Sequence, residues 1–516
     1  MREIEHRSTE DHRPVVTALA GVEAWERFSF YGMQAILVYY LYQDLGMPEQ
    51  QATALVGAYG ACLYLFTYGG GWVGDRLLGA ERTLLTGCGL LVSGHLMLAI
   101  LPGYAGLGAG LLAVAMGSGL LKTAAITLLG LAFPAHQGAH SGRRDAAFQF
   151  FYLGINVGAL CGPLTTGWLA QRYGYHAGFA AAAVLMVIGV IFYLTLRSRV
   201  RAVLRHEDIN RPAQPIAISR AIGVIGTVGV GIAAVLGFMG NGMLHPDTVV
   251  SGLLVLTVAA ALGLFAQVLT SGQVSAQERK RVQGFIPLFV CSTAYWALFA
   301  QTAGVFAVYS DQRLDRTVGE YTIPAAWTQS LNPLYILVFS VPVALLMARF
   351  SPPRRVAMGL GLALAGGGMF ILMPWVGGGA NSTPLVAFAS CVLCMSLGEL
   401  CIGPVGMSST GAYAPEAFRT RFAALYFLTM AIGTSLAGTA SALYDPGNPA
   451  AERLYLAALG LVPLVLGLGV ALTTRANRAY GVSAPPVTPN VSPVMYEASS
   501  DARNTCLLYT SPSPRD

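Results

Sequence analysis

Apolar stretches long enough to cross a bilayer recur along the chain, separated by short polar turns. They lie near residues 15–43, 51–74, 83–101, 106–133, 147–171 and 178–197, then 217–240 and 247–271, then 284–309, 324–348, 356–377, 384–412, 419–442 and 452–473. A mostly apolar run of about 18 residues or more reads as a transmembrane helix. Two polar stretches break the series: SRVRAVLRHEDINRPAQP after the sixth run and QERKR after the eighth. The spans therefore group as six, two and six. This pattern predicts an all-α polytopic membrane protein of 14 transmembrane helices, two six-helix bundles plus two inserted helices. Its segments are an N-terminal arm (1–14), a first bundle (15–197), a linker with two extra transmembrane helices (198–282), a second bundle (283–475) and a tail (476–516). The tail is rich in Ser and Pro and is expected to be disordered. Its last residues, 506–516, resemble adapter-derived sequence and are not expected to take part in the fold. Deletion from about residue 486 is expected to leave function intact, because the segment has no apolar periodicity.

Composition narrows the class. The chain is 54% hydrophobic and 11% charged, against about 25% charged for a soluble domain. That balance excludes a soluble enzyme, a disordered chain and a nucleic-acid binder. The net charge of +6 sits in loops. With a cytoplasmic N-terminus, 23 of the 31 Lys and Arg residues fall on the cytoplasmic side and four on the other. This bias places both termini inside. No cleavable signal peptide is visible in MREIEHRSTEDHR. Seven of the eight cysteines lie in or beside apolar runs. The pair Cys391 and Cys394 forms a CxxC inside a helix and reads as packing residues rather than a metal or redox site. No metal-ligand spacing and no nucleophile–base pair appears within the spans, so no enzyme, metal or cofactor is expected. His136, His140, His176 and His245 lie near span ends and read as solvated. His95, within the third span, reads as packed and hydrogen-bonded.

Charges inside the spans point to function. Each costs at least about 2.5–3.5 kcal/mol to insert, and apolar packing would serve a static role more cheaply. Five are found: Glu23, Glu26, Arg27, Lys122 and Glu399. Glu23, Glu26 and Arg27 share one helix face, which Tyr31 and Gln34 continue. The chain holds two lysines, and Lys122 lies in mid-span in GSGLLKTAAITLLG. Lysine changes charge readily when desolvated, as arginine does not. Glu399 stands among Gly398, Gly403, Pro404 and Gly406, a run that loosens a helix and is tolerated beside a cavity or a covering helix. Three acids against two bases leave one carboxyl poorly paired, so a proton is expected on Glu23 or Glu26.

These motifs resemble the proton-dependent oligopeptide transporter (POT/PTR) family of the major facilitator superfamily. Glu23-Ala24-Trp25-Glu26-Arg27-Phe28 with Tyr31-Gly32 matches the ExxERF…YG motif of its first span. GGWVGDRLLGAER, with Asp75, Arg76, Gly79 and Arg82, resembles the superfamily's conformational loop motif. FFYLGINVGALCGP, with Tyr152, Asn156 and Gly158, matches the fifth-span signature; QSLNPLYI and LGELCIGPVG match the eighth and tenth. The resemblance implies uptake of di- and tripeptides with protons, by alternating access, across the bacterial inner membrane, by a chain that works as a monomer. Glu23, Glu26, Arg27 and Lys122 match the proton-coupling set. Tyr31, Tyr64, Lys122, Asn156, Trp296, Asn332 and Glu399 match positions lining the peptide site, where Glu399 would meet the peptide amine and Lys122 its carboxylate. The partners so implied are small peptides, protons and the lipid bilayer, with no nucleic acid.

The chain also departs from the family pattern. Gln34 stands where an Arg is usual, Ala300 where an acid is common, Gly403 where Ser is frequent and Tyr426 where Trp is frequent. The first two would pair in the family, so their joint loss predicts extracellular closure by packing and neutral hydrogen bonds, with no ion pair between the first and seventh spans. The departures also leave open a symporter of the same fold for another small solute: a peptide-like drug, nitrate or an amino-acid derivative.

Overall fold

The computed structural model describes residues 12–133, 141–205, 208–213, 215–241, 243 and 246–478. The chain forms α1 (Arg13–Tyr39), α2 (Glu49–Val73), α3 (Ala80–Ile100), α4 (Gly103–Ala132), α5 (Ser141–Tyr173), α6 (Tyr175–Val203), α7 (Ile218–Gly240), α8 (Pro246–Thr270), α9 (Ala276–Ala300), the short α10 (Val305–Gln312), α11 (Leu331–Phe350), α12 (Arg354–Met369), α13 (Leu385–Tyr413), α14 (Arg419–Ala440) and α15 (Pro449–Arg478). Among the described residues, four two-residue strands lie in loops. Leu314–Asp315 pairs with Thr383–Pro384, and Thr317–Val318 with Tyr321–Thr322. The expectation of an all-α membrane protein holds. Among the described residues, 11 helical segments are long and apolar enough to cross a membrane. Of the other long helices, α1 carries Glu23, Glu26 and Arg27, and the apolar run of the continuous α5 is interrupted by Asn156, Thr165 and Thr166. In α7 the qualifying apolar stretch is the shorter Ser219–Val235.

Helix ends differ from the hydropathy pattern in a regular way. The basic run QERKR is the first turn of α9, begun by a capping box between Ser275 and Glu278. Hydropathy marks the part of a helix that sits in lipid, while the hydrogen-bonded backbone continues past it. The seventh span is interrupted: α9 ends at Ala300, a turn follows, and α10 resumes at Val305. The eighth begins as a tight 3₁₀ turn, Ala325–Ser330, before α11. Residues 479–516 of the tail and residues 134–140, with His136 and His140, lie outside the described residues, as does His245.

The chain divides into two compact units. The first comprises Met1–Met33 and Phe66–Phe238. Its helices meet through small residues, which let backbones approach in the absence of a hydrophobic drive within lipid. Gly154, Gly158 and Gly162 of α5 lie one turn apart and face α1. A Cβ at Gly158 would stand 2.3 Å from the Ala24 carbonyl oxygen, and one at Gly162 would stand 2.4 Å from that of Phe28. In α4, Gly117 meets α3 and Gly119 meets α2, where Cβ atoms would lie 2.8 Å from the Gly87 oxygen and 2.5 Å from the Phe66 oxygen.

The second unit comprises Gln34–Leu65 and Met239–Asp516. Its core gathers Phe265, Phe285 and Phe422 with Tyr295, Met358 and Met395. α12 is clamped by α15 and α13, again through glycines: a Cβ at Gly359 would lie 2.4 Å from the Gly467 oxygen, and one at Gly398 would lie 2.6 Å from the Gly361 oxygen. Within this unit α2 packs on α14, where a Cβ at Gly57 would lie 2.5 Å from the Gly438 Cα. Cys391 is buried, Cys394 stands against Gly368 of α12, and neither is in a disulfide.

Candidate functional site

In the first unit, one turn of α1 holds Glu23, Glu26 and Arg27, at 0%, 0% and 4% exposure. Arg27 grips Glu26 with two donors. Nε bonds Oε2, and Nη2 bonds Oε1 at 2.8 Å. Nη2 also donates to Ser118 Oγ at 3.0 Å, and Ser118 donates to Glu26 Oε1 at 2.7 Å. Glu23 fares differently. Its closest ion-pair contact is Arg27 Nε at 3.3 Å, and neither of its oxygens accepts a hydrogen bond among the described residues. The Arg27 guanidinium also lies 5.1 Å from the Phe30 ring and 5.9 Å from the Tyr31 ring. Lys122 sits one turn beyond Ser118 on α4, partly buried, within the field of Arg27, Glu23 and Glu26. Among the described residues it makes no hydrogen bond or ion pair. Asn156 on α5 donates to the Tyr152 carbonyl at 2.9 Å.

In the second unit, Glu399 on α13 receives Asn332 Nδ2 at 2.9 Å and the Tyr295 hydroxyl at 3.4 Å, both on Oε2. Asn332 also reaches Ser396 Oγ at 3.0 Å. Among the described residues no cation pairs with Glu399. Neutral donors thus hold one oxygen of a partly buried carboxylate, an arrangement suited to an arriving ammonium. Trp296 stands beside it, its ring 5.4 Å from that of Tyr295, with a buried indole N–H that finds no acceptor among the described residues. Tyr64 is partly buried on the α2 segment of this unit. At the departures, Gly403 faces open space, and the Tyr426 hydroxyl reaches its carbonyl at 3.4 Å.

The same unit ties the α1 end to α10. Tyr39 donates to the Ala307 carbonyl at 3.0 Å, and Tyr42 and Gln43 both donate to Asp311 Oδ2 at 2.6 Å. Arg316 pairs with the other Asp311 oxygen at 3.1 Å. Gln312 bonds Glu49, and Gln50 donates to the Tyr444 carbonyl at 3.3 Å. Among the described residues no ion pair joins α1 to α9 or α10, in line with the loss of Gln34 and Ala300 as charged partners.

The conformational loop lies in the first unit, at the widened last turn of α2, Gly74–Leu78. Asp75 and Arg82 are exposed and Arg76 partly so. Gly79 takes φ 77°, and a Cβ there would lie 2.6 Å from the Asn210 carbonyl carbon, so only glycine fits. The loop's buried anchor is a residue the motif did not single out. Glu81, at 0% exposure, pairs with Arg197 Nε at 2.7 Å and Arg201 Nη2 at 2.6 Å.

Three further residues escaped the sequence reading. Ser118 could have been suspected from its place four residues before Lys122. Tyr295 neighbours Trp296, and Ser396 lies one turn before Glu399. His95 corrects an expectation: it is buried at 0% exposure, but neither ring nitrogen has a hydrogen-bond partner among the described residues. His176 does bond, through Nδ1 to the Leu98 carbonyl at 2.9 Å.

Comparison with known proteins places these sites in context. The sequence profile of the POT family matches residues 81–454. The chain is 33% identical to the uncharacterized transporter YclF of Bacillus subtilis, over 86% of this chain and 90% of that protein. It is also 33% identical to the di-/tripeptide transporter of Lactococcus lactis subsp. cremoris, over 86% of this chain and 92% of that one. Among solved structures, a peptide transporter POT superposes with TM-score 0.82 at 33% identity, covering 90% of this chain and 95% of that chain. A POT family transporter in complex with 5-aminolevulinic acid superposes with TM-score 0.80 at 29% identity, covering 89% and 96%.

Proposed function

The chain belongs to the POT family, and on that premise we propose that it is a proton-coupled symporter importing di- and tripeptides by alternating access. The observation that carries the substrate class is Glu399, a partly buried carboxylate held, among the described residues, by neutral donors alone. Such a group gains most from an incoming ammonium. Lys122, a cation without a hydrogen-bonded partner among the described residues, is the corresponding group for a carboxylate. A peptide zwitterion carries both charges. Tyr31, Tyr64, Asn156, Trp296 and Asn332 are assigned to peptide contact. Glu23, Glu26, Arg27 and Lys122 are assigned to proton coupling, and Asp75, Arg76, Gly79 and Arg82 to the conformational loop.

Residues 15–197 and 283–475 are assigned to the two halves of the major-facilitator fold, and 198–282 to the inserted pair with its linker. The protein is placed in the bacterial inner membrane with both termini cytoplasmic, acting as a monomer and without a cofactor. The test is uptake of labelled dialanine into proteoliposomes under an inward proton gradient. Accumulation that an uncoupler abolishes is expected; no uptake, or uptake indifferent to the uncoupler, overturns the reading.

One relative favours a second reading. The transporter holding 5-aminolevulinic acid shows that a short amino-acid derivative is bound within the family. Gly403 and Tyr426 change the surroundings of Glu399 in this chain. Competition of dialanine uptake by such derivatives, measured beside a peptide library, separates the two substrate classes.

A further inference from the structure

The two carboxylates of α1 are chemically alike in sequence and unlike in the fold. Glu26 accepts two bonds from Arg27 and one from Ser118. Glu23 accepts none among the described residues and keeps one longer ion-pair contact. Hydrogen bonds to an ionised carboxylate favour its charged form. The residue that sharpens the inequality lies on another helix. Ser118 is 1% exposed, and its hydroxyl receives Arg27 while donating to Glu26.

Its position is fixed by its neighbours. Gly117 and Gly119 press α4 against α3 and α2, at separations that no Cβ would tolerate. That contact sets the rotation of α4 and directs Ser118 at the α1 cluster. Lys122 follows one turn later on the same face. A hydroxyl group can both donate and accept, so this link costs no unpaired polar group in the membrane.

We propose that Ser118 is a positioning residue of proton coupling: its hydroxyl holds Glu26 as the ionised partner of Arg27 and so leaves the proton to Glu23. The proposal rests on the symport reading above. The proton is delivered by hydronium, which leaves as water, and forms an O–H bond on a Glu23 oxygen; nothing else is transferred. The groups facing Glu26 are Glu23 and Arg27 on its own helix, Lys122 and Ser118 on α4, and the Cys88 thiol on α3. Tyr31 adds its influence through Arg27. α5 offers a glycine backbone at Gly158. Ser118 is thus the one neutral hydroxyl among the described residues that hydrogen-bonds to either acid, and it can be removed without altering net charge.

The experiment compares Ser118→Ala, Ser118→Cys and Ser118→Thr with wild type in proteoliposomes. Three quantities are read: the pH profile of proton-driven dialanine uptake, dialanine counterflow without a gradient, and pH-difference infrared spectra in which Glu26→Gln identifies the Glu26 carboxyl band. In the Ala and Cys variants, the protonated-carboxyl band assigned to Glu26 is expected to be stronger than in wild type at equal pH. The uptake profile moves with it, and counterflow stays within about twofold. Ser118→Thr, which keeps the hydroxyl, restores the wild-type profile. Superimposable infrared titrations for wild type, Ala and Cys overturn the proposal, as does a Thr variant displaced as far as Ala. If wild type fails to accumulate dialanine, the symport reading falls, and the infrared titration still decides the role of Ser118.

Discussion

Lys122 is a partly buried cation in a helix long and apolar enough to cross a membrane, without a hydrogen bond or ion pair among the described residues, near two acids that share Arg27. Lys122→Ala is expected to abolish accumulation against a gradient while counterflow survives in part; accumulation at the wild-type level would refute its coupling role. The inequality of the acids gives a second expectation. Glu23→Gln should remove the pH dependence of uptake and leave peptide binding, since it imitates the proton-loaded group. Glu26→Gln instead breaks a buried ion pair, a loss of about 3–5 kcal/mol, and should lower the thermal midpoint in detergent. Equal thermal midpoints for the two variants would contradict the asymmetry. The acids were legible in the sequence because a charge within an apolar run is conspicuous. Ser118 was not, because a hydroxyl in a membrane helix commonly bonds its own preceding turn. Thr123 and Thr127 on the same helix do so, to the carbonyls of Gly119 and Thr123. Sequence cannot tell which hydroxyl turns outward.

Helices carry two devices that hydropathy did not reveal. Where α1 ends, Asp311 accepts from Tyr42 and Gln43 and is pinned by Arg316. Uncharged donors thus do the work that a charged pair would do at Gln34 and Ala300. Asp311→Asn is expected to weaken this tie, since bonds to a charged acceptor contribute about 1.5–3 kcal/mol each. A cysteine placed at Gln43 should then react with a membrane-impermeant maleimide several times faster than in a background with Asp311 intact. An unchanged rate would show that packing alone closes this end. The second device is Glu81. Its arginine partners are 33% and 46% exposed and can turn to water when it is lost. Glu81→Gln should therefore cost less than Glu26→Gln, roughly 1–3 kcal/mol, and a larger drop in thermal midpoint would mean that the loop depends on it more than this geometry implies. Spans were readable from apolar runs. The break after Ala300 was not, since QTAG is as compatible with a helix as with a turn.

At the scale of the molecule, the fold class and the succession of long helices followed from the alternation of apolar and polar stretches, because the bilayer permits little besides helices. The membership of each helix in a packed unit did not follow. The unit boundary falls within α1, between Met33 and Gln34, and within α2, between Leu65 and Phe66. Contacts such as Gly57 with Gly438 decide it. Two glycines nearly 400 residues apart in the chain leave no mark in local composition.

That division bears on how the chain can be cut and reassembled. A gene split at Pro212, in the polar linker, would encode two fragments that look like natural halves. The shorter would carry Gln34–Leu65 without the helices on which that hairpin rests, and the longer would expose the surface the hairpin covers. Each fragment made alone should be degraded, and the two made together should complement one another in the membrane. The α1–α2 hairpin thus acts as a clasp made by one fragment and fastened on the other, so that neither half of the gene encodes a finished half of the protein.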